Sequence, residues 1–269
     1  MKKIIPQRCA VIENRRLDKA GWYYRLRLSG FVPSRAVYPG HFVHLKVAPG
    51  LDPFFRRAFS VSDFDAATGA LEIIYKVAGR GTALLREVRP GTMLDLIGPL
   101  GNRFTVPPKS QTAVIVAGGV GLPPLAFLAR YLIDRRHDPK TVFFFYGGRS
   151  KEDLIDLPRL RRMGANLILC TDDGSRGFKG MVTEAVIHHL SQFDDRRFHV
   201  YGCGPEPMLA ALQELALVRQ WSGEMSLEAP MPCGVGVCLG CIKPSLSAPG
   251  SYVRVCHDGP VFKIGEVQL

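Results

Sequence analysis

The chain has 269 residues, enough for two domains and a further fragment. Its apolar fraction of 46% against 22% charged is that of an ordinary globular protein and excludes a disordered one. The net charge of +11 is dispersed over pairs such as Arg15-Arg16, Arg56-Arg57, Arg135-Arg136, Arg161-Arg162 and Arg196-Arg197. No block of like charge and no nucleic-acid motif accompanies it, so it reads as scattered surface charge open to an acidic partner or anionic cofactors.

The apolar stretch at the N-terminus is cut short by Pro6, Gln7 and Arg8, so no signal peptide is read. No run approaches the roughly eighteen apolar residues of a membrane span. A soluble, cytoplasmic protein is expected. Over residues 1–106, short alternating runs ("WYYRLRLSG", "HFVHLKVAPG", "RRAFSVSD", "GALEIIYKVAG") between Pro and Gly turns predict an antiparallel β-barrel or sandwich, interrupted by one helical stretch, "GTALLREV".

After Pro107-Pro108 the pattern changes. "TAVIVAGG" is a continuous apolar run, as in a strand buried on both faces. Helix "PPLAFLARYLIDRR", strand "TVFFFYGG", helix "DLPRLRRM", strand "NLILCTDDG", helix "MVTEAVIHHL", strand "RFHVYGCG" and helix "PEPMLAALQELALV" follow. This alternation over 107–220 predicts a doubly wound parallel sheet with ligand at the carboxyl ends of its strands. Residues 221–269 are too few for an ordinary core, so a metal is expected to help hold that subdomain.

Seven cysteines, an odd number without secretory signals, argue against a disulfide framework. Cys9, Cys170 and Cys203 lie far apart in apolar surroundings. Cys233, Cys238, Cys241 and Cys256 follow C-x4-C-x2-C, then fourteen residues and a fourth Cys. Zinc ribbons usually present two C-x2-C pairs, whereas C-x4-C-x2-C…C is the plant-type spacing for a [2Fe–2S] cluster. Gly234, Gly236 and Gly240 allow the backbone to approach and to aim N–H groups at sulfur.

Three further loops carry glycines at the start of helices. In "VAGRGTALL", Gly79 to Thr82 suit a pyrophosphate, with an arginine of the neighbouring "RRAFS" strand as countercharge and Phe59 as a surface for a flat ring. "VAGGVGLPPL" has the layout of a dinucleotide loop, its prolines in the first helical turn. "YGCGPEPML" repeats the arrangement, with Cys203, Gly204 and Pro205 in an exposed turn near a nicotinamide, the alternative for Cys203 being a small buried thiol. Arg149 and Lys151, after "TVFFFYGG", are placed to meet a 2′-phosphate if NADP is used. No Ser/His/Asp or paired-carboxylate constellation is evident; His188-His189 and Asp172-Asp173 read as surface or turn residues.

Together these elements resemble the ferredoxin–NADP reductase superfamily. Within it, "MSLEAPMPCGVGVCLGC" and "VRVCHDGPVF" are similar to the electron-transfer subunit of class 1B dihydroorotate dehydrogenase, a likeness that covers nearly the whole chain. It implies an FAD barrel (1–106), an NAD domain (107–220) and a cluster subdomain (221–269). It also implies residue roles. Arg57, Ala58, Phe59 and Ser60 match the flavin motif, with Ile74, Tyr75, Lys76, Gly81 and Thr82 as further FAD contacts. Gly118, Gly119 and Gly121 would face the NAD phosphates, and Cys233, Cys238, Cys241 and Cys256 would ligate [2Fe–2S]. Many superfamily members have Tyr at the position of Phe59, and relatives of this subunit type often read Pro-Ile at Ala58-Phe59.

The activity implied is a relay. Electrons from an FMN-containing catalytic subunit, which oxidises dihydroorotate for pyrimidine biosynthesis, would cross [2Fe–2S] to FAD and then to NAD+ in a heterotetramer. Alternatives are a reductase subunit of a hydrogenase, sulfur-reducing or oxygenase system, and a zinc-bound, non-catalytic binding module.

Overall fold

Alternating apolar and polar positions build the first layer of the computed structural model, which describes residues 5–135, 137–191, 193 and 197–269. Arg136, Arg196 and residues 1–4 lie outside the described residues. The barrel strands are β1 (Gln7–Arg16), β2 (Tyr23–Ser29), β3 (Phe42–Lys46), β4 (Arg57–Ser60), β5 (Asp63–Asp65), β6 (Ala70–Lys76) and, after helix α1 (Arg80–Arg86), β7 (Met93–Leu100). They pair antiparallel in the order β4-β3-β7-β1-β2-β6-β5, and β4 curls round to approach β6. Leu26, Leu28, Val43, Leu45, Ile73 and Leu96 fill the interior.

Strands buried on both faces build the second layer: β8 (Thr112–Gly118), α2 (Leu122–Asp134), β9 (Val142–Gly148), α3 (Leu157–Arg162), β10 (Asn166–Thr171), β11 (Phe178–Lys179), α4 (Val182–Leu190), β12 (Phe198–Cys203), α5 (Glu206–Val218) and β13 (Ser222–Ser226). The sheet order β11-β10-β9-β8-β12-β13 is parallel throughout. Helices α2 and α3 pack on one face, and α4 and α5 on the other.

The tail does not stand apart from this sheet. Its first strand, β13, pairs with β12, and β16 (Val261–Lys263) adds an antiparallel edge beyond it. Between them β14 (Ile242–Pro244) and β15 (Tyr252–Arg254) form a small hairpin. A core of Phe42, Leu100, Leu209, Met225, Leu227, Cys241, Val255, Cys256 and Phe262 joins the tail to the barrel and to α5. A tail with little core of its own is thus held between two larger layers.

The barrel meets the α2–α3 layer through a half-buried ion cluster. Arg159 reaches Glu72 at 2.5 Å and Asp63 at 2.7 Å, Arg25 pairs with Glu72 and Asp156, and Arg130 pairs with Asp63. Among the described residues, no helix is long and apolar enough to cross a membrane.

Candidate functional site: two joined clefts and a cysteine loop

The carboxyl ends of the parallel strands open into a cleft of about 540 Å³. Gly118, Gly119, Gly148, Asp172, Gly204, Pro205 and Met208 are among its lining residues. The two glycine loops form its floor together: a Cβ on Gly204 would lie 3.0 Å from the backbone of Gly118. Gly121 has another place. A Cβ there would sit 2.2 Å from the Cys203 carbonyl oxygen, so this glycine lets α2 close onto the end of β12 and does not line the cleft.

Cys203 also differs from its expected exposed turn. It is the last residue of β12, 1% exposed, and burial followed by the nearby Glu228 carboxylate pushes its thiol well up. It stays a neutral thiol beneath the floor. Arg149 lines the cleft beside Asp153 at 3.7 Å, while Lys151 is exposed off the lining. His188 and His189 pack around Phe178, away from the clefts.

A second cleft, of about 270 Å³, runs between barrel and tail. Ala58, Phe59, Ser60, Ile74, Tyr75 and Lys76 form its barrel wall, and Ser226 to Ala229 with Met231 its other wall. Phe59 leans on Tyr75, centroids 5.9 Å apart. Arg57, Gly81 and Thr82 lie outside this lining but beside it. A Cβ on Gly81 would approach Arg57 Nε to 3.1 Å, and Thr82 Oγ1 accepts from the N–H groups of Ala78 and Gly79 at 2.9 and 3.2 Å. The hydroxyl therefore shapes the loop that the arginine lies across.

The two clefts share Lys76, Val120 and Glu228. A flat ring in the second and a nucleotide in the first would meet there. Glu228 opens into both, yet the protein around it raises its carboxyl above the usual range through desolvation. Sequence reasoning read Asp172 as a turn residue and passed over Glu228. Asp172 had a signal, its place at the carboxyl end of a parallel strand; Glu228 had none.

The chain that forms the second cleft's outer wall runs directly into the cysteine loop. The four sulfurs are arranged as two pairs. Cys241 Sγ and Cys256 Sγ are 3.2 Å apart, while the Cys238 N–H donates to Cys233 Sγ at 3.4 Å. Further backbone N–H groups point at sulfur: Val235 to Cys233 (3.5 Å), Gly236 to Cys256 (3.1 Å), Gly240 to Cys238 (3.4 Å) and Cys256 to Cys241 (3.4 Å). Burial opposes ionisation of Cys233, but the N–H groups of Val235 and Cys238, with the Cys238 thiol, bring it down to about 6.

This donor set fits a two-iron cluster, with two thiolates for each iron and N–H groups to offset sulfur charge. A lone zinc needs four donors around one point.

Comparison with known proteins agrees with this layout. Residues 228–268 match the family model "Iron-sulfur cluster binding domain of dihydroorotate dehydrogenase B", and 115–214 match "Oxidoreductase NAD-binding domain". The chain is 40% identical over 248 residues to the dihydroorotate dehydrogenase B (NAD(+)) electron transfer subunit of Geobacillus thermodenitrificans, covering 91% of this chain and 93% of that protein. With the same subunit of Bacillus cereus it shares 36% over 250 residues, at the same coverage. Among solved structures, the NADH-dependent reduced ferredoxin-NADP oxidoreductase superposes with a TM-score of 0.83 at 25% identity, over 97% of this chain and 89% of that one. The ferredoxin reductase of carbazole 1,9a-dioxygenase shares the fold, with a TM-score of 0.69 at 24% identity over 81% and 67%. The chain belongs to the family of dihydroorotate dehydrogenase B (NAD(+)) electron transfer subunits.

Proposed function

We propose that this chain carries electrons from the FMN of a separate dihydroorotate-oxidising subunit to NAD+, using FAD and a [2Fe–2S] cluster of its own. One observation carries the reading: the stretch Ser226 to Cys241 lines the flavin cleft with its first half and bears three of the four paired cysteines on its second. When bound, the cluster supplies single-electron exchange and the flavin both single- and two-electron exchange, which links the two chemistries.

The chain's own residues bind and orient. Arg57, with the loop at Gly81 and Thr82, supplies countercharge and close backbone approach for the FAD phosphates. Ala58, Phe59, Ser60, Ile74, Tyr75 and Lys76 wall the ring. Gly118, Gly119, Gly204 and Pro205 cradle the nicotinamide nucleotide, with Gly121 and Cys203 packed beneath as support. Cys233, Cys238, Cys241 and Cys256 hold the iron. We assign residues 1–106 to FAD, 107–220 with strand β13 to NAD, and the remainder to the cluster. A cytoplasmic location suits the seven free thiols.

The cluster loop also offers a face for the partner. Val237 and Leu239 are 78% and 56% exposed, and Ile242 and Tyr252 on the β14–β15 hairpin that follows are exposed as well. Exposed apolar side chains grouped around a redox centre suit a protein surface rather than water. Lys243, on the rim, is paired with Glu206 at 2.6 Å. The assembly proposed is a heterotetramer of two such chains and two catalytic subunits.

The test is co-expression with an FMN-containing catalytic subunit. The native pair is expected to co-purify and to reduce NAD+ with dihydroorotate. Val237→Glu with Leu239→Glu is expected to abolish co-purification while NADH still bleaches the flavin of the isolated chain. An intact complex in that double variant contradicts the docking face, and a native pair inactive with dihydroorotate contradicts the function.

A further inference from the structure

His44 lies on the outer face of β3, next to Phe42, where the tail covers the barrel. It is 1% exposed, and neither ring nitrogen has a hydrogen-bond partner. The Met231 backbone is close enough to favour the charged ring, but forms no bond of normal geometry. A Cβ on Gly234 would lie 2.7 Å from His44 Nδ1, so the imidazole sits directly against the peptide that follows Cys233. Gly234 has φ +69°, so both this contact and its backbone call for glycine.

A buried imidazole with no partner is costly, and native structures rarely leave such a group unsatisfied. Two features direct it toward the cluster loop. A β-bulge between Phe42 and His44 shifts the register with β7, the kind of irregularity that re-aims a side chain. His44 also pairs through its backbone with Ala58 of the flavin wall, so one residue touches the flavin strand and the cysteine loop.

We propose that His44 is a positioning residue for the cluster: its ring N–H donates to a sulfur of the bound cluster beside Cys233 and ties the cysteine loop to the flavin strand. This rests on the assignment of the four cysteines as cluster ligands. Donors to cluster sulfur stabilise the reduced state and raise the potential. Five backbone N–H groups already act in this way on the loop, and His44 adds a side-chain donor from the barrel.

The experiment compares wild-type protein with His44→Phe and His44→Asn, purified anaerobically with cofactors in place. Iron, acid-labile sulfide, the EPR spectrum of the reduced cluster, and separate cluster and flavin titrations are measured. His44→Phe is expected to retain iron, to change the g-values, and to lower the reduced-to-oxidised ratio of the cluster about tenfold at fixed poise, or about 59 mV. His44→Asn, which keeps an N–H donor, is expected to recover at least half of that shift, and the flavin is expected to stay near its wild-type potential. An unchanged cluster potential and spectrum in His44→Phe overturns the proposal, and so does an equal shift in both variants. Should His44→Phe lose its iron, His44→Asn decides: iron retained there supports the donor role, and iron lost there as well overturns it. Wild-type protein without iron contradicts the cluster assignment itself, which separates the two failures.

Discussion

Tyr23 of the barrel donates its hydroxyl to the Asp153 carboxylate of the nucleotide domain at 2.9 Å, on the wall of the larger cleft. Lys76 and Arg149 approach the same carboxylate at 3.8 and 3.7 Å. The two domains are thus joined beside the point where their ligands meet. Tyr23→Phe removes one partner and leaves Asp153 two cations, so the expected cost is about 1 kcal/mol. Differential scanning fluorimetry is expected to show a fall of about 2–4 °C in Tm with unchanged flavin content.

Arg159 is the larger contributor to the domain contact. Its loss leaves Glu72 and Asp63 facing each other with fewer cations, in a setting where removing one partner costs about 3–5 kcal/mol. The Arg25 and Arg130 pairs remain, so Arg159→Ala is expected near the lower end, about 3 kcal/mol. Urea unfolding checks the value; a change under about 0.5 kcal/mol, as at an ordinary surface site, would contradict it.

Asp172 lines the larger cleft just past the end of β10, and we predict that it bears on nucleotide choice. An acidic side chain at this strand end suits a ribose hydroxyl and repels a 2′-phosphate. Asp172→Ser is expected to raise kcat/KM for NADPH at least tenfold, while that for NADH changes by less than about fivefold. Steady-state flavin reduction with both nucleotides measures it. Equal responses to the two would remove Asp172 from this role.

Acid sensitivity follows from His41. Burial, then the positive charges of Arg35 and Arg103, push its pKa down to about 3 from the ordinary 6.5, and its Nδ1 accepts the Tyr38 N–H at 3.1 Å. The unfolded chain therefore takes up a proton that the folded one refuses. Stability is present above about pH 6.5 and is lost as the pH falls toward 3, by about 1.4 kcal/mol per unit in the middle of that window. His41→Asn keeps an acceptor for Tyr38 and is expected to show a shallower decline between pH 6 and 4 in urea titrations.

Much of this arrangement was legible where the signal is local. Alternation in "WYYRLRLSG" and the continuous run "TAVIVAGG" separated barrel from parallel sheet, and the cysteine spacing pointed to two irons before any sulfur pair was seen. Features made by distant segments were not legible. Val261–Lys263 is too short to show a period, yet it edges the second sheet. Cys203 reads as a turn residue until the loop at Gly121 closes over its carbonyl. His44 gave no signal at all, because its meaning comes from a glycine almost two hundred positions later.

The most direct test of the relay is anaerobic addition of NADH to the isolated, cofactor-loaded chain, followed by visible absorption and freeze-quench EPR. The account predicts bleaching of the flavin, followed by the EPR signal of one reduced [2Fe–2S] cluster per chain. Flavin bleaching with no cluster signal at any later time would contradict it.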